Sequence, residues 1–203
     1  FNVAEQWRNP VMVLCDGLIG QMMEAVEFPE FKPNPKAVDK KTYCTIGTMN
    51  HDGAPNIVNS LYLDANELHA HNVKLHKKYK QIEEEEVKVE LSPNINEAEI
   101  IVVAYGTMAR IAKTAIEKVN GAGHKVGMIR PITLWPFPYK SFDNLNARAY
   151  LVCEMSMGQM VDDVKIATRG STAPIHFFGK AGGVIPEVEE VEEQILNVLK
   201  GGK

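Results

Sequence analysis

Apolar positions are distributed along the chain in two textures. From Ala98 onward, short apolar runs alternate with stretches of helix length whose apolar residues recur every three or four positions, the pattern of an α/β layer structure. Strands are predicted at Glu99 to Tyr105, Lys125 to Ile129, Tyr150 to Glu154 and Ile175 to Phe178. Gly106-Thr107 opens a helix with Ile111, Ala112, Ala115, Ile116 and Val119 on one side and Gly121 at its end. A short helix is expected at Tyr139 to Ala147, after the stiff corner Trp135-Pro136-Phe137-Pro138, and another at Met157 to Thr168. A last helix takes Pro186 and the following glutamates in its first turn and stops at Gly201. Right-handed crossovers would join these strands into a mostly parallel sheet with helices on both faces.

The first half is less regular. Ala4 to Arg8 reads as a helical tail, and Val11 to Cys15, closed by Asp16-Gly17, as a buried strand ending in a turn. Between Phe28 and Asn59, Pro29, Pro33, Pro35 and Pro55 interrupt any periodic element, and Thr42 to Thr45 offers at most one short strand. This stretch reads as a linker or crossing arm. Asp64-Ala65-Asn66-Glu67 has the spacing of a capped helix start. Leu61, Leu68, Leu75 and Ile82 then recur every seven residues, with Ala65 and Tyr79 between them, a narrow seam on a charged rod. Glu83 to Glu86 lie at the wrong end of the helix dipole and should fray into solvent. Three regions result: 1–28, then 29–97 with its amphipathic helix at 64–86, then the α/β domain 98–203. The chain shows neither an internal repeat nor a low-complexity tract.

Composition narrows the function. The 203 residues hold 45% hydrophobic side chains, enough for a folded core. With 22 Lys+Arg against 26 Asp+Glu the net charge is −4, which offers no basic footprint for nucleic acid. Runs such as Ile100 to Ala104 fall far short of the ~20 apolar residues a bilayer requires, so no membrane span is expected. Phe1-Asn2-Val3-Ala4-Glu5 lacks a secretory pattern and reads as the inside of a helix, which suggests a piece of a longer chain. Cys15, Cys44 and Cys153 cannot all pair and lack the spacing of zinc or iron–sulfur ligands, so a reducing, cytoplasmic setting fits. Cys15 and Cys153, both in apolar runs, are expected to be inert core thiols.

Few residues carry chemistry. Asp16-Gly17-Leu18-Ile19-Gly20-Gln21 follows a predicted strand, where α/β sheets place ligands, although Asp-Gly there is also an ordinary tight turn. Neither Tyr105-Gly106-Thr107 nor the glycines of 179–183 form a phosphate-binding fingerprint. No two of His69, His71 and His76 are four apart, which excludes a helical metal pair, and no triad partner is placed for His176. Glu154-Met155-Ser156-Met157-Gly158-Gln159-Met160 is the most unusual segment, because a carboxylate ends a buried strand and thioethers follow in a turn. Asp16, Gln21, Glu154, Ser156, Gly158 and Gln159 are therefore the candidates to face an interface or active-site entrance. No catalytic residue and no metal ligand is assigned.

Three segments carry a resemblance: Glu99-Ile-Ile-Val-Val-Ala-Tyr-Gly-Thr-Met-Ala-Arg110, Lys125-Val-Gly-Met-Ile-Arg-Pro-Ile-Thr-Leu-Trp-Pro-Phe-Pro138 and Leu151-Val-Cys-Glu-Met-Ser-Met-Gly-Gln159. They resemble the transketolase C-terminal-type domain and, more closely, the α subunit of 2-oxoacid:ferredoxin oxidoreductases. The second and third look like the branched-chain (2-oxoisovalerate) type, and Asn9-Pro-Val-Met-Val-Leu-Cys-Asp16 resembles the last strand of that family's pyrimidine-binding domain. The resemblance implies an oligomeric complex that oxidatively decarboxylates a 2-oxoacid on thiamine diphosphate and Mg. Such a complex passes electrons through iron–sulfur clusters to ferredoxin and delivers the acyl group to coenzyme A. It further implies that region 1–28 ends a pyrimidine-binding domain, with the family's activating glutamate and substrate-binding arginine upstream of Phe1. Cys15-Asp16-Gly17 lacks the Gly-Asp-Gly metal–diphosphate motif, so the cofactors are expected on other subunits, with this piece serving as scaffold and interface and inactive by itself. Two alternatives remain: the C-terminal domain of another thiamine enzyme, such as a 2-oxoacid dehydrogenase β subunit, and a non-catalytic module that recruits a partner through Leu68, Leu75 and Ile82.

Overall fold

A computed structural model describes residues 1–44 and 55–201. The chain divides into two compact units, one made of Phe1–Leu14 and Glu24–Glu84, the other of Cys15–Met23 and Glu85–Lys203.

The second unit holds the core. Its sheet has five strands, β1 (Val89–Leu91), β2 (Ile100–Ala104), β3 (Val126–Pro131), β4 (Ala149–Glu154) and β5 (Ile175–Gly179), in the order β1-β3-β2-β4-β5. The β2–β3, β2–β4 and β4–β5 pairs are parallel, with Ile100 opposite Val126 and Ala149, and Cys153 opposite Phe178. β1 runs antiparallel against β3. All of β2 and β4 is buried, as expected of strands covered on both faces.

Alternation of side chains splits the core into two layers. Ile100, Val102 and Ala104 face one layer with Met108, Ala112, Ala115 and Val119 of α4 (Gly106–Gly121) and Val191, Ile195 and Val198 of α6 (Val188–Leu199). Ile101 and Val103 face the other with Phe137, Phe142 and Met160, Val161 and Val164 of α5 (Met160–Ala167). The expected mostly parallel α/β sheet with helices on both faces is what the chain forms.

Several boundaries differ from expectation. The sheet unit includes Cys15–Met23 and resumes at Glu85 rather than Ala98, because Val89–Leu91 pairs with the edge of β3 instead of belonging to an arm. Tyr139 to Ala147 yields only a 3-10 turn, Tyr139–Phe142, since Asn144 turns left-handed at φ 60°. Pro186 lies before the helix, with Glu187 as N-cap.

The first unit contains α1 (Asn2–Trp7), a 3-10 turn at Lys40–Thr42 where a short strand was conceivable, and most of α3 (Ala65–Glu85). Thr45 lies outside the described residues. Asp64 Oδ1 accepts from the N–H groups of Asn66 (2.9 Å) and Glu67 (3.0 Å), which is why α3 begins there. Lys78 Nζ donates to the carbonyls of Trp7 (3.3 Å) and Arg8 (3.4 Å) and to Asn9 Oδ1 (3.1 Å), closing the end of α1. Desolvation, with Arg8 and Lys74 nearby, pulls the Lys78 ammonium below its ordinary range. Of the predicted seam only Ile82 is buried, and Leu61 and Leu68 are exposed. Val11 to Leu14 form no strand and are exposed, and Cys15 is an exposed thiol rather than a core one. Among the described residues no strand lies beside them to take up their backbone hydrogen bonds.

Candidate functional site

The strand order reverses between β2 and β4. From β2 the chain passes through α4 to β3, while β4 leads through α5, on the opposite layer, to β5. The carboxyl ends of β2 and β4 therefore flank the crevice where open α/β sheets bind ligands. Two of the three buried polar or charged side chains among the described residues, Thr107 and Glu154, stand at this edge.

Glu154 is the last residue of β4 and 0% exposed. Its carboxylate accepts from Ser156 Oγ (3.0 Å) and from the backbone N–H groups of Gln159 (3.1 Å), Met160 (3.0 Å) and Val161 (2.9 Å). These amides are orphan donors at the start of α5, so Glu154 caps that helix from the neighbouring strand and complements its dipole. Ser156 Oγ also accepts from the Gly158 N–H (3.1 Å), which closes the turn, and Gly158 takes φ 109°. The Glu154 carbonyl accepts from the Lys180 N–H (3.1 Å), and Lys180 Nζ meets Glu190 at 2.5 Å. Four of the six candidates, Glu154, Ser156, Gly158 and Gln159, thus form one hydrogen-bonded knot.

Asp16 performs the same task one strand over. It accepts from Thr107 N (3.1 Å) and Thr107 Oγ1 (2.8 Å) at the start of α4, and from Ile19 N (3.0 Å) as N-cap of the short helix α2 (Gly17–Gln21). Burial pulls its carboxyl upward, but the hydrogen bonds from Ile19, Thr107 and Leu18 together outweigh it and leave the group below its ordinary value. Gly106 sits at φ 59°, and a Cβ there would stand 3.2 Å from Asp16 Oδ2, so glycine is needed both for the turn and for the approach. Gln21 is exposed at the end of α2 and joins neither cluster.

Sequence reasoning missed Tyr105, Thr107 and Lys180. Burial, then the charges of Glu154 and Asp16, raise the Tyr105 hydroxyl. A threonine directly after a helix-opening glycine was the available signal for Thr107. Cys153, next to Glu154, is a core thiol as expected, pushed up to about 12 by burial and then by Glu154. A cavity of about 830 Å³ opens at the opposite, amino edge, lined by Asn144, Arg148, Arg169 and Ser171 among others, and contains none of the candidates.

This donor set does not fit a diphosphate. The amides that could cradle one at α4 and α5 already serve Asp16 and Glu154, whose charges would repel it. Nor do the described residues bring three His, Cys, Asp or Glu side chains together as metal ligands.

Fold and site together define a doubly wound α/β domain whose switch point is closed by its own carboxylates. Residues 98–191 match the model of the pyruvate:ferredoxin oxidoreductase core domain II family. It is 37% identical to the ketoisovalerate oxidoreductase subunit VorB of Methanothermobacter thermautotrophicus and 35% identical to that of Methanothermobacter marburgensis. Each match covers 98% of this chain and 55% of the relative, so the chain spans about half the length of these proteins. A solved 2-oxoglutarate:ferredoxin oxidoreductase from Magnetococcus marinus, with 2-oxoglutarate, coenzyme A and succinyl-CoA bound, matches 71% of this chain and 24% of that one at TM-score 0.53. Its identity of 21% makes it a likeness of fold.

Proposed function

We propose that the chain is part of the α subunit of a cytoplasmic, oligomeric 2-oxoacid:ferredoxin oxidoreductase acting on 2-oxoisovalerate. In this reading the assembled enzyme decarboxylates the 2-oxoacid on thiamine diphosphate and Mg, sends two electrons through iron–sulfur clusters to ferredoxin, and releases an acyl-CoA. The observation that carries the reading is the likeness to ketoisovalerate oxidoreductase subunits along 98% of the chain. The chemistry of the sheet edge supports a scaffold and interface role for this piece. With both helix ends capped internally, the loops after β2 and β4 offer a preorganised surface instead of a cofactor cradle, suited to docking beside a cofactor-bearing subunit. Asp16, Gln21, Glu154, Ser156, Gly158 and Gln159 are the residues proposed to lie at or behind that surface, with region 1–28 closing a pyrimidine-binding domain.

The test is reconstitution of the whole subunit with its partners, followed by dye reduction dependent on both a 2-oxoacid and coenzyme A. Turnover with 2-oxoisovalerate faster than with 2-oxoglutarate is expected. Absence of any 2-oxoacid-dependent reduction overturns the reading, and a preference for 2-oxoglutarate overturns its substrate assignment.

A further inference from the structure

The chain enters the sheet unit at Cys15, leaves it after Met23, and returns only at Glu85. What holds this short excursion is unusual in kind. None of the residues of α2 is buried, and Met22 and Met23 are exposed, so little apolar burial fastens it. Its attachment is polar and converges on one side chain: Asp16 ties the excursion to α4 through Thr107 N and Oγ1, and orders α2 through Ile19 N. By contrast, β2 and β4 are buried along their whole length.

We infer that Cys15–Met23 is a detachable strap, latched by Asp16 across the start of α4, whose release opens the carboxyl edge of the sheet while the sheet stays folded. Segments held by few apolar contacts and by hydrogen bonds near solvent open far more often than the strands they cover. The latch is short because the Gly106 backbone admits the carboxylate, and it is specific because Thr107 offers both a hydroxyl and an amide. Once released, the strap leaves free the amide and hydroxyl of Thr107 at the positive end of a 16-residue helix, at the very position where the strand order reverses. Release of the latch is a conformational equilibrium that does not depend on which reaction the assembly performs.

Amide hydrogen exchange on the full chain, wild type against D16A and T107V, tests this. D16A is expected to accelerate exchange at Ile19, Gly20 and Met22 on the order of 10- to 100-fold, the size expected for losing charge-assisted hydrogen bonds. T107V removes only the hydroxyl and should give roughly a tenfold rise at the same amides. Amides of β2 and β4 should be unchanged in both. The inference is overturned if α2 exchanges no faster in either variant. It is equally overturned if β2 and β4 accelerate by the same factor, which would make strap and sheet one cooperative unit.

Discussion

At the scale of single residues, the chain spends its buried acidity on its own helices. Glu154 was legible as costly to bury, but its partners were not, because the amides it accepts from converge on it only through the turn that leads into α5, which begins six residues later. Glu154→Gln keeps shape and volume but turns an NH₂ toward an array of N–H donors. A loss of about 1–3 kcal/mol is expected, read by chemical denaturation, and an unchanged midpoint would contradict the capping role. Asp16 makes a pH-dependent contribution of known sign. Its folded carboxyl titrates below the ordinary 3.8, so its stabilisation is complete above that value and disappears as pH falls through the lower folded one. Wild type should therefore lose more stability than D16N between pH 5 and the acid limit, and parallel pH profiles would contradict the assignment.

Elements show where local pattern suffices and where it fails. The strands β2 to β5 and helices α4 to α6 were legible because each repeats an apolar period that tertiary packing then satisfies, as with Ala112, Ala115 and Val119 on α4. Val11 to Cys15 carries an equally good strand pattern and is exposed, because a strand is stabilised only by neighbours that lie elsewhere in sequence. β1 was missed for the converse reason, since three half-exposed residues at a sheet edge carry little apolar signal. The sharpest element-level constraint was also invisible in sequence: a Cβ at Gly179, the end of β5, would collide with the Ser156 carbonyl and the Phe177 ring. Gly179→Ala should thus push the 155–159 turn off Glu154, at a cost of about 1–3 kcal/mol. The matched control is Gly170→Ala, where a Cβ meets nothing within 4 Å. Equal thermal stability of the two variants would show that the turn is not pinned by β5.

For the whole molecule, the balance of buried and exposed apolar groups argues for assembly. The sheet unit is densely cored, yet large apolar side chains stand exposed on it at Trp135, Met157 and Val184, and on the first unit at Val13, Phe28, Phe31 and Leu63. Apolar side chains left in water in such number mark surfaces suited to being covered by further chain or by a partner, most of all in the first unit, where Ile82 is the only buried side chain among the described residues. Methionine oxidation can read this distribution. Met12, Met23 and Met157 are 80%, 97% and 80% exposed, while Met108, Met128 and Met160 are buried. In the isolated chain, dilute peroxide should convert the first three to sulfoxides well before the second three. In the reconstituted complex Met157 should become protected, because the turn that carries it is held rigid by Glu154 and projects at the edge proposed to meet the cofactor-bearing subunit. Protection of Met12 with Met157 still fully reactive would instead move the interface to the first unit and leave the carboxyl edge of the sheet open to solvent.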